Sequence, residues 1–113
     1  MAKSNKPIFW SLFAAGGTLA AFLAPVLVLL FLLTALGYTP DLLGYERLHA
    51  FGASWLGKLF LLTVITLFLW HAAHRLRVTL HDFGLRQDHL AATVLYLVAA
   101  TGTALAVLYL LRL

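Results

Sequence analysis

His71, His74 and Arg75 stand at i, i+3 and i+4 within the run Trp70-His71-Ala72-Ala73-His74-Arg75. On a helix that spacing puts all three on one face. Two His at i and i+3 raise the question of a metal. No carboxylate or thiol lies in register with them, so no metal centre is expected. His71 poses a separate question, because a His inside a membrane span can ligate haem. His74 and Arg75 suit another task. Cationic or hydrogen-bonding groups can meet the carbonyl oxygens of a quinone, and a titratable imidazole can help move the protons that accompany quinol oxidation. An aromatic ring and apolar walls would hold the quinone body. Trp10 is the candidate ring, provided the fold brings it to the same membrane face. Trp, Arg and His also anchor membrane proteins at any interface, so the residues alone leave anchoring and quinone binding both open.

Arg77, His81 and Asp82 continue the cluster. Arg77 and His81 are i, i+4, and Asp82 can pair with a local basic group or with one on a partner. There is no nucleophile motif, no phosphate loop and no carboxylate dyad, so no catalytic residue is assigned. Lys58 lies about two turns inside a second apolar segment, with Trp55 close by. A Lys at that depth snorkels to the near interface; an ion or proton relay is the other reading.

These side chains must be positioned by three long apolar segments, 8–38, 48–73 and 90–111. A bilayer core is about 30 Å thick, so a spanning helix needs roughly 20 mostly apolar residues. Each segment clears that length. Hydrophobic residues make up 63% of the 113-residue chain and charged ones 11%, against about 25% charged in a soluble domain. A soluble chain this small could not bury so much apolar surface. The expected fold is therefore an all-α membrane protein of three transmembrane helices, forming one membrane-anchor domain over residues 1–113. The chain has no Cys, which excludes disulfides, thiol chemistry and an iron–sulfur cluster held by this chain alone. A cleaved signal peptide is not expected, because the first segment is too long for an h-region.

Details of the segments sharpen this. Ser4 or Asn5 can cap a first helix with Pro7 in its first turn, and Phe9 and Trp10 suit the membrane interface. Pro25 is expected to kink this span. Gly16, Ala20 and Ala24, and likewise Gly17 and Ala21, repeat every four residues, as close helix packing in lipid favours. Gly84 is a plausible helix stop in the second connection. Ala99, Ala100, Gly102, Thr103, Ala104 and Ala106 again suit close packing in the third segment.

Topology follows from Lys and Arg. Lys3 and Lys6 in the N-terminal tail and Arg75, Arg77 and Arg86 after the second span fall on one side of three spans. Arg47, Lys58 and Arg112 fall on the other. The positive-inside rule puts the N-terminus in the cytoplasm and the C-terminus in the periplasm. The net charge of +4 is read as this asymmetry and not as nucleic-acid binding, since the basic residues lie beside the spans rather than along one face. Trp10, His74 and Arg75 then meet at the cytoplasmic interface.

Several segments together resemble a known family. Pro7-Ile8-Phe9-Trp10-Ser11-Leu12-Phe13-Ala14-Ala15-Gly16-Gly17, followed by Ala24-Pro25-Val26, resembles the start of the D subunit of bacterial fumarate reductase. Tyr45-Glu46-Arg47 and Trp70-x3-His74-Arg75-x5-His81-Asp82 are similar to the same family. The resemblance covers almost the whole chain and is weakest in the third span. It implies an inner-membrane anchor that, with a C-type anchor subunit, attaches flavoprotein and iron–sulfur subunits and helps form a menaquinol site. It also implies that Trp10 and Phe13 are the aromatic residues beside that site, with His74 and Arg75 its polar contributors. The related succinate dehydrogenase anchors have a haem-ligand His eleven residues before Asp-Tyr, and His71 precedes Asp82-Phe83 by that spacing. Haem b is nevertheless not expected. The rival reading is a small self-assembling transporter or pore. A proton-coupled transporter would normally need an acidic residue within its spans, whereas Asp41, Glu46, Asp82 and Asp88 all lie in the connections between the three segments.

Overall fold

Gly37 and Gly84 have positive φ, 86° and 93°, and each ends a long helix in the same way. Tyr38 N–H donates to the Leu33 carbonyl and Gly37 N–H to that of Thr34; Leu85 N–H donates to Leu80 and Gly84 N–H to His81. This is the Schellman pattern, in which a left-handed residue turns the chain back on the last carbonyls and glycine does so without a Cβ penalty.

The computed structural model describes residues 6–113; Lys3 and the expected caps Ser4 and Asn5 lie outside the described residues. Among those described, every regular element is helical. Helix α1 is Lys6–Ala35, α2 is Tyr45–Ala53, α3 is Trp55–Asp82 and α4 is Asp88–Arg112, with a 3-10 turn at Asp41–Leu43 before α2. Three of them, α1, α3 and α4, are long and apolar enough to cross a membrane. Helix α1 stops short of residue 38 because Gly37 turns the chain. Pro25 stands inside α1 without ending it. Helix α4 runs slightly beyond both limits of the 90–111 segment.

The second segment differs most from expectation. The apolar stretch from residue 48 does not enter the span directly. Ser54 adopts an extended conformation, with φ −72° and ψ 150°. Its Oγ accepts from Gly57 N–H at 3.0 Å and donates to the Phe51 carbonyl at 2.6 Å. A Ser that caps a new helix in this way separates α2 from α3. A Cβ at Gly57 would lie 1.7 Å from the Phe51 carbonyl oxygen, so the junction requires glycine there. The span therefore begins at Trp55 and runs to Asp82, past the expected end at residue 73. Lys58 consequently sits in the first turn of α3 and not two turns inside it. Its ammonium lies 5.5 Å from the centre of the Trp55 ring, a cation–π arrangement suited to a helix end at the interface.

Helix α3 is the element against which both α1 and α4 pack. Small residues set the approach, because between helices in lipid it is close packing that holds. A Cβ at Gly16 would come within 2.6 Å of the Leu67 carbonyl oxygen and 2.9 Å of His71 Cβ. Gly16 and Gly17 thus form the contact face of α1, while Ala21 and Ala24 on the small-residue repeats are exposed. On the other side Gly102 faces Leu69, at 2.9 Å for an added Cβ, and Ala91, Ala99 and Leu110 of α4 are buried. Large apolar side chains such as Phe22, Val28 and Phe31 point outward and are exposed, as a bilayer or a neighbouring subunit requires and water does not allow.

Candidate functional site

Because α1 and α4 lie on α3, an open cleft of about 990 Å³ remains above α3 at the end where α1 begins and the α3–α4 turn lies. Its volume is at the upper end of small-molecule sites, roughly 300–1,000 Å³. Helix α1 contributes Pro7, Phe9, Trp10, Leu12 and Phe13; α3 contributes Thr66, Leu67, Trp70, His74 and Arg77; α4 contributes Tyr96. The walls are mostly apolar, with polar groups from His74, Arg77 and Tyr96.

The antiparallel packing of α1 and α3 brings the beginning of one helix to the end of the other. Trp10 and Phe13, one turn apart, both face the cleft. Phe13 meets both imidazoles of α3. Its ring stacks on His71 with centroids 4.5 Å apart and planes 11° apart, and it tilts by 59° against His74 at 4.6 Å. His71 Nδ1 lies 3.0 Å from the Phe13 carbonyl oxygen. A carbonyl only accepts, so Nδ1–H is the donor. Gly17 faces the edge of the same imidazole next to Nδ1: an added Cβ would stand 2.8 Å from Cε1 and 3.3 Å from Nδ1.

On the α4 side, a polar chain runs along the cleft wall to Asp88. His74 Nδ1 is 3.0 Å from the Tyr96 hydroxyl. Arg77 Nη1 donates to the same hydroxyl at 3.4 Å. Arg77 Nε and Nη2 donate to the two carboxylate oxygens of Asp88 at 2.8 and 2.5 Å. That two-pronged pairing fixes the plane of the guanidinium. The Tyr96 ring also stacks on Trp70, centroids 5.8 Å apart, and receives the Arg77 guanidinium against its face at 5.8 Å.

Of the four residues expected at a quinone site, Trp10, Phe13 and His74 line one cleft. Arg75 does not line it. Successive residues turn by about 100° on a helix, which puts Arg75 on one side of His74 and Arg77 on the other. Arg75 is exposed at the same end of α3 and forms no ion pair among the described residues. Asp82 is exposed at the end of α3; the acid that pairs with the cluster is Asp88, across the turn. Sequence reasoning did not reach Tyr96, the phenol in the first half of the third span. The signal was the spacing of Asp88 and Tyr96, eight residues apart and so on one helix face. Among the described residues no three His, Cys, Asp or Glu side chains gather as a metal cradle.

Known proteins similar to this chain fall in one family. The family model for the D subunit of fumarate reductase matches residues 1–111. The fumarate reductase D subunit of Vibrio parahaemolyticus is 38% identical over 109 residues, covering 95% of this chain and 87% of that protein. That of Vibrio vulnificus is 35% identical over 113 residues, covering 98% and 90%. That of Shewanella putrefaciens is 36% identical over 113 residues, covering 98% and 93%.

Proposed function

The chain belongs to the family of fumarate reductase D subunits, and from that premise we propose that its cleft is this protein's share of a menaquinol site. As a member of that family it is a membrane anchor subunit of fumarate reductase, a multi-pass protein of the bacterial inner membrane with three spans. This membership displaces the transporter reading. The finer reading is that a C-type anchor subunit joins it, that both hold the flavoprotein and iron–sulfur subunits, and that the N-terminus and cleft face the cytoplasm. Quinol bound there releases two electrons and two protons; the electrons pass through the iron–sulfur subunit to flavin, where fumarate becomes succinate.

The observation that carries the reading is the cleft itself, with apolar and aromatic walls and polar groups from α3 and α4. Trp10 and Phe13 hold the flat body of the quinol. His74 hydrogen-bonds one of its oxygens. Arg77 is committed to Asp88, whereas Arg75, exposed beside the cleft, supplies a guanidinium to the part of the pocket that partner subunits complete. A permanently charged, planar group with several donors suits a carbonyl oxygen. Haem is not part of the proposal.

The test is kinetic. In the assembled complex, His74→Ala and Arg75→Leu are expected to lower quinol-driven fumarate reduction at least about tenfold, on the scale of one lost charge-assisted hydrogen bond. Reduction driven by an artificial dye stays at the level of the unmodified complex. Equal loss of both activities in fully assembled enzyme counts against a quinol site here.

A further inference from the structure

We infer that Tyr96 is a positioning residue that holds neutral His74 with its proton on Nε2, so that His74 presents a donor to an oxygen of the ligand in the cleft. This rests on the quinol-site reading above and adds to it a residue of the third span.

The argument follows the hydrogens. A guanidinium has donors and no acceptor. The Nε and Nη2 hydrogens of Arg77 go to Asp88 and an Nη1 hydrogen goes to the Tyr96 oxygen. That oxygen therefore accepts from Arg77 and keeps its own O–H to give. The acceptor within reach is His74 Nδ1 at 3.0 Å. In neutral imidazole one nitrogen accepts and the other carries the hydrogen. With Nδ1 accepting, the hydrogen is on Nε2. The opposite tautomer would aim two donors, Nδ1–H and Nη1–H, at the Tyr96 oxygen and leave the phenol hydrogen without an acceptor among the described residues.

The fold makes the chain rigid. Trp70, His74 and Arg77 occupy i, i+4 and i+7 of α3, one continuous stripe. Asp88 and Tyr96 face that stripe from α4. Asp88 holds Arg77, Arg77 orients the phenol, and Trp70 stacks on the phenol ring. The remaining nitrogen of His74, Nε2, has no partner among the described residues, and His74 lines the cleft. A donor fixed in advance meets a ligand oxygen without the entropy of choosing a tautomer or a rotamer.

Four forms of the complete membrane-bound complex test this: unmodified, Tyr96→Phe, His74→Ala and the double variant. Each is assayed with a short-chain naphthoquinol as electron donor, and rates are normalised to dye-driven fumarate reduction by the same preparation, which counts assembled enzyme. Phe keeps the ring that stacks on Trp70. Tyr96→Phe is expected to lower the naphthoquinol-driven kcat about tenfold, the scale of one hydrogen bond to a reacting group. In the His74→Ala background the same change lowers it no further, because its effect passes through His74. An equal loss in both backgrounds overturns the inference, since the Tyr96 hydroxyl would then act independently of His74. Loss in His74→Ala with none in Tyr96→Phe overturns it and leaves the quinol site standing. A His74→Ala complex at the unmodified rate overturns both.

Discussion

The imidazole of His71 lies flat on the ring of Phe13, and its Nδ1–H donates to the Phe13 backbone carbonyl at 3.0 Å. One side chain of α3 thereby grips both the backbone and the side chain of α1. The glycines of α1 allow that grip, since a Cβ at Gly17 would strike the ring edge. Phe13 is a wall of the cleft, so the same contact sets where that wall stands.

Gly16→Ala tests the approach of the two helices. The added Cβ meets the Leu67 backbone oxygen at 2.6 Å, and backbone cannot swing aside as a side chain can. The expected loss is about 1–3 kcal/mol of stability, read as a lower melting temperature of the purified complex together with reduced quinol oxidation. Ala24→Val, at an exposed position of α1, is the control and is expected to shift neither.

The purified complex is expected to show no Soret absorbance that depends on His71. A Soret band that vanishes in His71→Ala would overturn this. The same variant is expected to slow quinol oxidation several-fold, because Phe13 loses its stacked partner and a hydrogen bond worth about 1 kcal/mol.

The junction of α2 and α3 yields a graded pair. Ser54→Ala removes a helix cap and is expected to cost about 1 kcal/mol. Gly57→Ala places a Cβ against the Phe51 carbonyl and forces α2 and α3 apart. Thermal melts of the complex should rank Gly57→Ala well below Ser54→Ala; the reverse order would mean that the junction is held by the cap rather than by the close approach.

Orientation is checked by fusion. With the N-terminus in the cytoplasm, alkaline phosphatase joined after Leu113 is exported and active, while the same enzyme joined in the turn near Arg86 is inactive. The opposite pattern reverses the topology and moves the cleft away from cytoplasmic partners.

Much of the fold was legible because long apolar runs have few solutions in a bilayer. Helix α4 reaches two residues before and one residue beyond the 90–111 segment, and Gly84 read correctly as a helix stop. Ser54 was not read as a break, since Ala53-Ser54-Trp55 looks continuous by hydropathy; only the Ser54 hydroxyl contacts and the Phe51 carbonyl over Gly57 reveal it. For the cleft, topology alone brings Trp10, His74 and Arg75 to one end of the molecule, and Phe13 follows from the family resemblance; that Arg75 does not line the cleft was not legible. The bond between His74 and Tyr96 joins residues 22 apart, and the pair of Arg77 and Asp88 joins residues 11 apart across a turn. Asp82 is five residues from Arg77 on the same helix and so off its face, but only the fold brings Asp88 to Arg77 across the turn.

By itself the sequence determined the solvent, the number of spans and the end of the molecule at which polar chemistry gathers. Those depend on segment length and composition, which act residue by residue. The tertiary structure decided which guanidinium stands at the cleft wall, which acid holds it and which nitrogen of His74 meets the Tyr96 hydroxyl. Those depend on the rotation of one helix against another, and that rotation is set by where Gly16, Gly17 and Gly102 let backbones and side chains approach.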